Sequence, residues 1–301
     1  MKVIVTGGVG FVGTNLIKRL LKDGNEVVSL DNYSTGKKEN EQDGCKYIDV
    51  DISDSLRRHK GFGLEQYKLE KPDLIFHLGA LARIQPSLKK PASTITNNFM
   101  GTLNVLDYAR ENNIPVVYAG SSTFHHGLWG SPYAWSKHSG EQLCKLYSTI
   151  YDLPTAICRF YNVYGEHQLE DGAYATVVGI FQKLYREGKP LTVTGDGEQR
   201  RDFTHIEDIV DGLVKCGNSL LIPNAYNAKV SGQTFELGRG ENFSINELTE
   251  MFGETDVEYI PARDGEYDYT LADSSKAKEL LGWNPTLDIS DYISEVIDDK
   301  S

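Results

Sequence analysis

Two patterns of apolar and polar positions alternate along the first 165 residues. Short, continuous apolar runs predict buried strands at 2–6, 26–31, 46–52, 73–79, 114–122 and 155–165. Between them, apolar residues recur at helical spacing and predict helices at 11–22, 93–113 and 132–151. The last of these begins at Ser131, with Pro132 in its first position. Apolar strands that alternate with helices are typical of a parallel sheet covered on both faces.

The pattern changes after about residue 165, where the segments become shorter and mixed. Turns are indicated at "TGDGEQ", "VSGQ" and "GRGEN", and helices at 173–187, 206–217, 244–253 and 287–298. We therefore expect an α/β fold with a Rossmann-type, doubly wound parallel sheet over residues 1–165. A smaller mixed α/β lobe over residues 166–301 completes it, with segments near 200–230 that return to the first domain.

Composition and charge narrow the class of protein. Of the 301 residues, 40% are hydrophobic and 25% charged, which suits a globular chain with a sizeable core. A net charge of -12 argues against nucleic acid as a partner. No apolar run approaches the ~20 residues of a membrane span. The four cysteines are far apart in the sequence, without metal-ligand spacing, and no secretory leader is recognisable, so we expect free thiols and a cytoplasmic location.

A glycine-rich segment, "TGGVGFVG", follows the first strand and opens the first helix. Gly7, Gly10 and Gly13 leave room for a pyrophosphate to approach the backbone amides at the helix N-terminus. Asp31 ends the second strand, at the position of an acid that binds the adenosine ribose hydroxyls. Its charge repels a 2′-phosphate, which favours NAD over NADP.

The end of the third strand offers two further residues toward this cofactor. Asp51 and Ile52 are well placed for the adenine. A turn residue is the alternative reading of Asp51, and it stays open.

The segment "SSTFHHGLWGSPYAWSK" holds the candidate catalytic groups. Tyr133 and Lys137 are four residues apart on a predicted helix and share a face. A phenol with a pKa of ~10 is a weak base at neutral pH. An ammonium ~4–5 Å away stabilises the phenolate by roughly 3–4 kcal/mol at an effective dielectric of ~20. Tyr133 would then take a hydroxyl proton as hydride leaves the same carbon, and Ser122 would donate to that oxygen. The alternative is a chance surface pair.

The chain resembles, over nearly its whole length, extended short-chain dehydrogenase/reductases of the NAD-dependent epimerase/dehydratase family, which act on nucleotide sugars. The resemblance rests on "TGGVGFVG", "LDNYSTG", "VDI", "HLGA", "GSST", "SPYAWSK", "RFYNVYG", "GDGEQRRDFTHIEDIVDGL" and "ARDGEYDYTLADSSKAKELLGW". It implies that residues 1–165 bind NAD and that residues 166–301 bind a nucleotide-diphosphate sugar. It also implies a homodimer, paired through the helices at 93–113 and 132–151.

The resemblance assigns further residues to the two ligands. Tyr133 and Lys137 should also contact the cofactor, together with Phe11, Val12, Asn32, Leu78 and Ala80. Thr123 and Asn162 should contact the substrate, and Arg201 and Arg263 should bind its diphosphate, although surface ion pairs are the alternative for the two arginines. Thr270 corresponds to a wall beside the C2 substituent, where a small residue admits an acetamido group.

The residues after Ser122 bear on the reaction. Family dehydratases carry an Asp–Glu pair there and decarboxylases carry a Glu, whereas this chain has Thr123 and Phe124, which cannot protonate a leaving group. This favours a 4-epimerase of the UDP-glucose/UDP-GlcNAc type that transiently oxidises C4. A 4,6-dehydratase, a 4-ketoreductase and a non-catalytic NAD-binding protein are the alternatives. His125 and His126 replace family residues in a shortened loop. A structural use, a proton-shuttle role and a metal stay open for them, but no third ligand is evident and no metal site is predicted.

Overall fold

The computed structural model of the protein describes residues 1–54, 70–222, 229–263, 265 and 267–298. Its central sheet has seven parallel strands in the order β11-β6-β5-β4-β1-β2-β3. These strands are β1 (Lys2–Thr6), β2 (Glu26–Asp31), β3 (Cys45–Asp49), β4 (Leu74–His77), β5 (Val116–Ser121), β6 (Thr155–Phe160) and β11 (Gln233–Leu237). The order of strands reverses between β1 and β4, which opens a crevice at their carboxyl ends. The Rossmann-type sheet predicted from the strand–helix alternation is confirmed.

Helices cover both faces of the sheet. They are α1 (Phe11–Lys22), α2 (Ile84–Lys89), α3 (Pro91–Ile95), α4 (Gly101–Asn112), α5 (Pro132–Tyr151), α6 (Val177–Arg186), α7 (Ile206–Leu221), α8 (Ile245–Glu250), α9 (Ser275–Leu281) and α10 (Ile289–Asp298). Because side chains of a strand alternate, Val3 and Val5 pack in a cluster with α1, α7 and Trp283. Ile4 faces the other way, into a cluster with α4 and α5.

The helix expected over 93–113 is interrupted. It consists of α3, a π-helical turn over Thr96–Met100 and α4. Asn98 lies in the π-helical turn, and its side chain bonds both the amide and the carbonyl of Leu81, at 2.7 and 3.1 Å. The side-chain NH2 of Asn98 also donates to Ser136 Oγ at 3.0 Å. The widened turn therefore ties the loop after β4 to the start of α5.

The strand β11 was not predicted, because its sequence "QTFEL" is short and begins within the turn signal "VSGQ". Phe235 and Leu237 face the core, while the residues between them are less buried. β11 pairs in parallel with β6 and closes that edge of the sheet. Segments near 200–230 were expected to return to the first domain, and β11 lies beyond them. Helix α7 lies within that range and packs on the central sheet. The division into two functional lobes at residue 165 stays a prediction.

Short strand pairs form the rest of the C-terminal half. β8 (Leu191–Thr194) pairs in parallel with β13 (Val257–Ile260), and β9 (Arg200–Asp202) pairs antiparallel with β12 (Asn242–Ser244). β7 (Val163–Tyr164) and β10 (Thr204–His205) join this half to the end of β6. A separate apolar cluster holds these elements together with α6, α8 and α10.

Two cysteines that are distant in the sequence meet inside the protein. The sulfurs of Cys158 on β6 and Cys216 on α7 lie 3.3 Å apart, and both thiols are free. Sequence spacing alone gave no sign of this contact. Among the described helices, none combines the length and the apolarity that a membrane crossing requires.

Candidate active site

One cavity of about 970 Å³ connects the glycine-rich loop with the C-terminal elements. It brings together most residues that the sequence nominated: Gly7, Gly10, Phe11, Val12, Asp31, Asn32, Ile52, Leu78, Ala80, Ser122, Thr123, Tyr133, Asn162, Arg201, Arg263 and Thr270. Asp51 and Lys137, which were also nominated, are not among the residues that line it.

The glycine-rich loop packs so closely against neighbouring backbone atoms that its glycines leave no room for side chains. Gly7 has a φ of +73°, and a Cβ there would lie 2.8 Å from Gly79 Cα. A Cβ on Gly13 would lie 2.1 Å from the Gly7 carbonyl oxygen. Helix α1 begins after Gly10 without a side-chain cap and without an acid in its first turn. Its first amides therefore face the cavity as an anion site, which fits the pyrophosphate of a dinucleotide.

Asp31 lies at the other side of this loop. Its carboxylate accepts hydrogen bonds from the amides of Val9 at 3.1 Å and Tyr33 at 2.8 Å. Burial raises the pKa of Asp31, and these backbone bonds oppose that rise. Asp51 bonds instead to the amide and hydroxyl of Ser53, as a turn residue does, while Ile52 lines the cavity.

Tyr133 opens α5 at the wall of the cavity, where Ser131 caps the helix by accepting from the Ala134 amide at 3.1 Å. Burial raises the pKa of Tyr133, while a hydrogen bond with the Ser121 side chain and the charge of Arg83 lower it. The sequence argument expected Lys137 to supply this charge. The charge of Arg83 also lowers the pKa of this tyrosine, and the role of Lys137 stays a prediction.

Lys137 is 5% exposed and lies four residues after Tyr133 on α5. Its Nζ is 4.4 Å from the centroid of the Tyr118 ring. Burial lowers the pKa of Lys137 to about 8, and the nearby Glu141 opposes that effect. An aromatic face and the charge of a buried acid therefore both stabilise the ammonium.

Ser121, the residue before the nominated Ser122, hydrogen-bonds Tyr133. Ser121 Oγ accepts from the amide and the hydroxyl of Thr123, at 3.3 and 3.0 Å. Its own proton is thus directed to Tyr133, which explains why it lowers the phenol's pKa. Ser122 lines the cavity beside it. Sequence reasoning could not separate these adjacent serines, because only backbone geometry at the strand end decides where each hydroxyl points.

Two of the nominated substrate residues, Asn162 and Thr270, are joined by a hydrogen bond. Thr270 Oγ1 accepts from the side chain of Asn162 and from the Asp202 amide, both at 3.1 Å. Thr270 is 7% exposed and Tyr269 60%, as the alternation expected for an extended segment requires. Arg201 and Arg263 line the cavity on this side.

The two histidines of the shortened loop have different partners. His125 Nε2 lies 2.6 Å from Glu236 Oε1 on β11. His126 stacks on Tyr267 with ring centroids 3.5 Å apart, and burial lowers its pKa to about 4. Phe124 lies between the Arg159 guanidinium, 3.4 Å from its centroid, and the His138 ring. The part of the chain that the structure describes contains no group of three metal-ligating side chains.

Sequence reasoning missed several residues that line the cavity. Among them are Arg83, Ser121, Tyr174 and Tyr267. Arg83 follows the quoted "HLGA" segment by three positions, so its proximity to a strand end was the only available signal.

The parallel sheet, the uncapped glycine loop and Tyr133 at the wall of the same cavity define a dinucleotide-binding α/β enzyme. The chain belongs to the NAD dependent epimerase/dehydratase family, whose model matches residues 3–228. NAD is its cofactor, and the loop and Asp31 described above fit that group.

Individual relatives are similar over the full length. A UDP-glucose 4-epimerase of Mycolicibacterium smegmatis is 31% identical, over 99% of this chain and 98% of the relative. A UDP-N-acetyl-alpha-D-glucosaminuronate decarboxylase of Bacillus cytotoxicus is 27% identical, over 98% and 96%. The solved structure of a Thermus thermophilus UDP-glucose 4-epimerase in complex with NAD superposes with a TM-score of 0.85, at 26% identity and over 100% and 99% of the two chains. The chain is thus a member of a class that contains epimerases and decarboxylases of nucleotide sugars.

Proposed function

We propose that the protein is a nucleotide-sugar 4-epimerase of the UDP-glucose/UDP-GlcNAc type. One observation carries this choice. Of the described residues that line the cavity, Asp31 alone has a carboxylate, and it lies at the glycine-loop end. The position after Thr123, where family dehydratases place an acid, is occupied by Phe124, which is held outside by Arg159 and His138. Expulsion of water needs a proton donor at the leaving group, whereas epimerisation at C4 does not.

The chain's own residues would handle the proton. When bound, NAD supplies a reversible acceptor for the hydride on C4. Tyr133 would take the proton of the C4 hydroxyl as the C4–H bond breaks. Ser122 would donate a hydrogen bond to the C4 oxygen, on which charge changes. Tyr133 returns the proton after hydride has been restored to the opposite face of C4. The sugar is thus inverted at one carbon, and no external oxidant is consumed.

The remaining nominated residues would hold the nucleotide sugar. Arg201 and Arg263 bind the diphosphate, and Asn162 contacts the substrate beside them. Thr270 leaves space beside C2, so an acetamido group is accepted. We expect turnover of UDP-GlcNAc and UDP-GalNAc at least comparable to that of UDP-Glc and UDP-Gal. A cytoplasmic location remains part of the same proposal.

The direct test is incubation of the purified protein and NAD with UDP-, GDP-, dTDP- and CDP-sugars, with products identified by NMR. We expect interconversion at C4 without loss of water or carbon dioxide. Tyr133→Phe should abolish turnover and leave NAD bound, because only the proton-transfer group is removed. Near-wild-type rates in Tyr133→Phe would overturn this mechanism.

The same experiment separates the other reactions. A 4,6-dehydratase yields a 4-keto-6-deoxy sugar and needs an acid from outside the described cavity lining. A 4-ketoreductase releases oxidised cofactor with each turnover. A non-catalytic NAD-binding protein turns over none of the sugars while it still binds NAD.

A further inference from the structure

One 3₁₀ turn, the serine turn, spans Ser122–His126 directly after β5. Its first two residues, Ser122 and Thr123, line the cavity and are the groups that the proposed function assigns to the sugar. His125 is not among the described residues that line the cavity, and its side chain is 44% exposed. One short turn thus has an end at the substrate and an end at the surface, so a contact that holds His125 also restricts the two hydroxyl side chains.

The surface end of the serine turn is bound to β11. His125 Nε2 lies 2.6 Å from Glu236 Oε1, and the side chain of Glu236 is 13% exposed. The other oxygen of this carboxylate accepts from the Tyr161 hydroxyl at 2.6 Å and from the Asp273 amide at 2.9 Å, while the carboxylate of Asp273 accepts from the Ser275 amide. Burial raises the pKa of Glu236, but these bonds and the contact with His125 outweigh burial and hold that pKa below its ordinary value. Glu236 is therefore a charged and firmly held partner for the histidine.

The contact between His125 and Glu236 belongs to a small cluster of charges. Arg159 on β6 lies 3.3 Å from Glu236 and 2.7 Å from Glu141, which is buried on α5. The arginine and the two acids together carry one negative charge in excess. A proton on His125 balances that charge and converts its hydrogen bond with Glu236 into an ion pair. A hydrogen bond between two ions is stronger than one with a neutral donor.

Phe124, the residue before His125, packs against the same cluster. Its ring centroid lies 3.4 Å from the guanidinium carbon of Arg159 and 5.1 Å from the ring of His138 on α5. Burial lowers the pKa of His126, the next residue of the turn, to about 4, so that ring is neutral above about pH 5.5. Above that pH, His125 and His138 are therefore the two imidazoles in contact with the turn whose charge can change.

We propose that His125 is a positioning residue of the candidate active site: its contact with Glu236 fixes the serine turn toward the sugar, and a proton on His125 tightens that hold. The inference rests on the proposed function, in which Ser122 and Thr123 contact the substrate, and adds a pH-dependent control of sugar binding to it. A turn that is ordered before the ligand arrives lowers the entropic cost of binding. The nucleoside diphosphate is assigned to the two arginines of the C-terminal half, so its own affinity should not depend on His125.

The first test is calorimetry on the NAD-loaded protein, with UDP-Glc, UDP-GlcNAc and UDP as ligands, from about pH 5.5 to about pH 7.5. An imidazole titrates in this range, which stays below the pKa of about 8 of Lys137. The diphosphate diester of a UDP-sugar keeps its charge throughout. We expect binding of the UDP-sugars by wild type to weaken about threefold as the pH rises, a small factor because water screens an ion pair at this exposure.

Variants of the two partners separate the contact from its charge. His125→Gln keeps a side-chain donor but cannot titrate, so its affinity for UDP-sugars should not change with pH. His125→Ala loses the contact and should bind UDP-sugars about 3- to 10-fold more weakly at every pH, with the Kd of UDP unchanged. Glu236→Gln should also remove the pH dependence, and adding His125→Gln to it should have no further effect on that dependence. The matched control is His138→Gln, which should keep the pH dependence of wild type.

A second measurement does not depend on the substrate. Amide hydrogen exchange over residues 122–130, compared at about pH 6 without sugar, should be about 3- to 10-fold faster in His125→Ala than in wild type. Exchange in β8 should be the same in both proteins, which shows that the variant is folded.

Four outcomes decide the proposal. Equal exchange of the loop in His125→Ala and wild type would overturn it, and so would a pH dependence that persists in His125→Gln or disappears in His138→Gln. Equal weakening of UDP and UDP-Glc in His125→Ala would overturn it as well. If no sugar is epimerised while protection of the loop still depends on His125, the epimerase proposal fails and the positioning of the serine turn stands.

Discussion

The Nζ of Lys137 lies over the face of Tyr118, 4.4 Å from the ring centroid. This contact places the buried ammonium against a strand of the central sheet, since Tyr118 belongs to β5. Tyr118 also donates to the Lys137 carbonyl at 3.3 Å, so the two residues are joined through both backbone and side chain. The ring partly replaces the hydration that burial removes.

The first prediction concerns the basic side of the pH–rate profile. Burial lowers the pKa of Lys137 to about 8, so the side chain is charged below that pH and neutral above it. If the charge is needed for turnover, the rate falls as the pH rises through about 8. Tyr118→Leu removes the aromatic face and should move this limb to lower pH, while Tyr118→Phe, which keeps the ring, should leave it in place. Coincident basic limbs in Tyr118→Leu and wild type would contradict the assignment.

The second prediction separates Ser121 from Ser122. Because Ser121 lowers the pKa of Tyr133 by hydrogen bonding, Ser121→Ala should shift the acidic limb of the pH–rate profile to higher pH. Ser122→Ala should instead lower kcat by about 10²–10³ at every pH, since it removes a donor to the substrate oxygen. Full pH profiles of both variants provide the measurement. A shifted limb in Ser122→Ala alone would exchange the two roles.

The third prediction concerns acid stability and His77. The ring lies between the hydroxyls of Thr6, at 2.8 Å, and Thr102, at 3.0 Å, and burial lowers its pKa to about 3. Below pH 6.5 the unfolded chain binds a proton there that the folded protein does not, so stability falls as the pH falls toward about 3. The loss amounts to about 2 kcal/mol between pH 6.5 and pH 5.

Denaturant unfolding at a series of pH values from 7 to 4 measures this loss of folding stability. His77→Gln removes the titrating group and should flatten the decline, even if it lowers stability at pH 7. The matched control is His138→Gln, at a partly buried position in α5. An equally steep decline in wild type and His77→Gln would show that other groups dominate the acid sensitivity.

The fourth prediction concerns assembly. Helix α5 leaves Leu146 and Ile150 exposed at 50% and 61%, with Trp129 nearby in sequence at 86%. The resemblance proposes that this helix and α4 pair across a twofold axis, which would cover these side chains. Light scattering should give twice the chain mass of 33.6 kDa, and Ile150→Asp should reduce it to the monomer. Tyr259→Asp, an exposed control on β13, should leave the mass unchanged. A wild-type monomer at micromolar concentration would refute the dimer.

Local patterns predicted the parts of the site that depend on local geometry. The bounds of β1 and β2 and the start of α5 at Pro132 follow the predicted ones closely, because strand runs, glycine positions and capping residues act over a few positions. The short strand β11 was not predicted, because what fixes it is its pairing with β6, which is distant in the sequence.

The directions of side chains were the second property that the sequence did not predict. The spacing of Tyr133 and Lys137 correctly put both residues on α5, but packing against Tyr118 decides where the ammonium lies. Arg83 became visible only when the loop after β4 was fixed by Asn98, because no local pattern predicts a positive φ at an arginine.

The position of β11 has a consequence for dividing this protein. Glu236 on β11 accepts from Tyr161 at 2.6 Å and lies 3.3 Å from Arg159, whose other partner is the buried Glu141 of α5. A fragment that ended at residue 165 would lose Glu236, leave the edge of β6 unpaired and uncover the sheet face that α7 protects. The cofactor-binding half is therefore not a transferable cassette, and recombination between relatives should preserve β6, α7 and β11 together. Fragment exchange at residue 165 should yield aggregated protein.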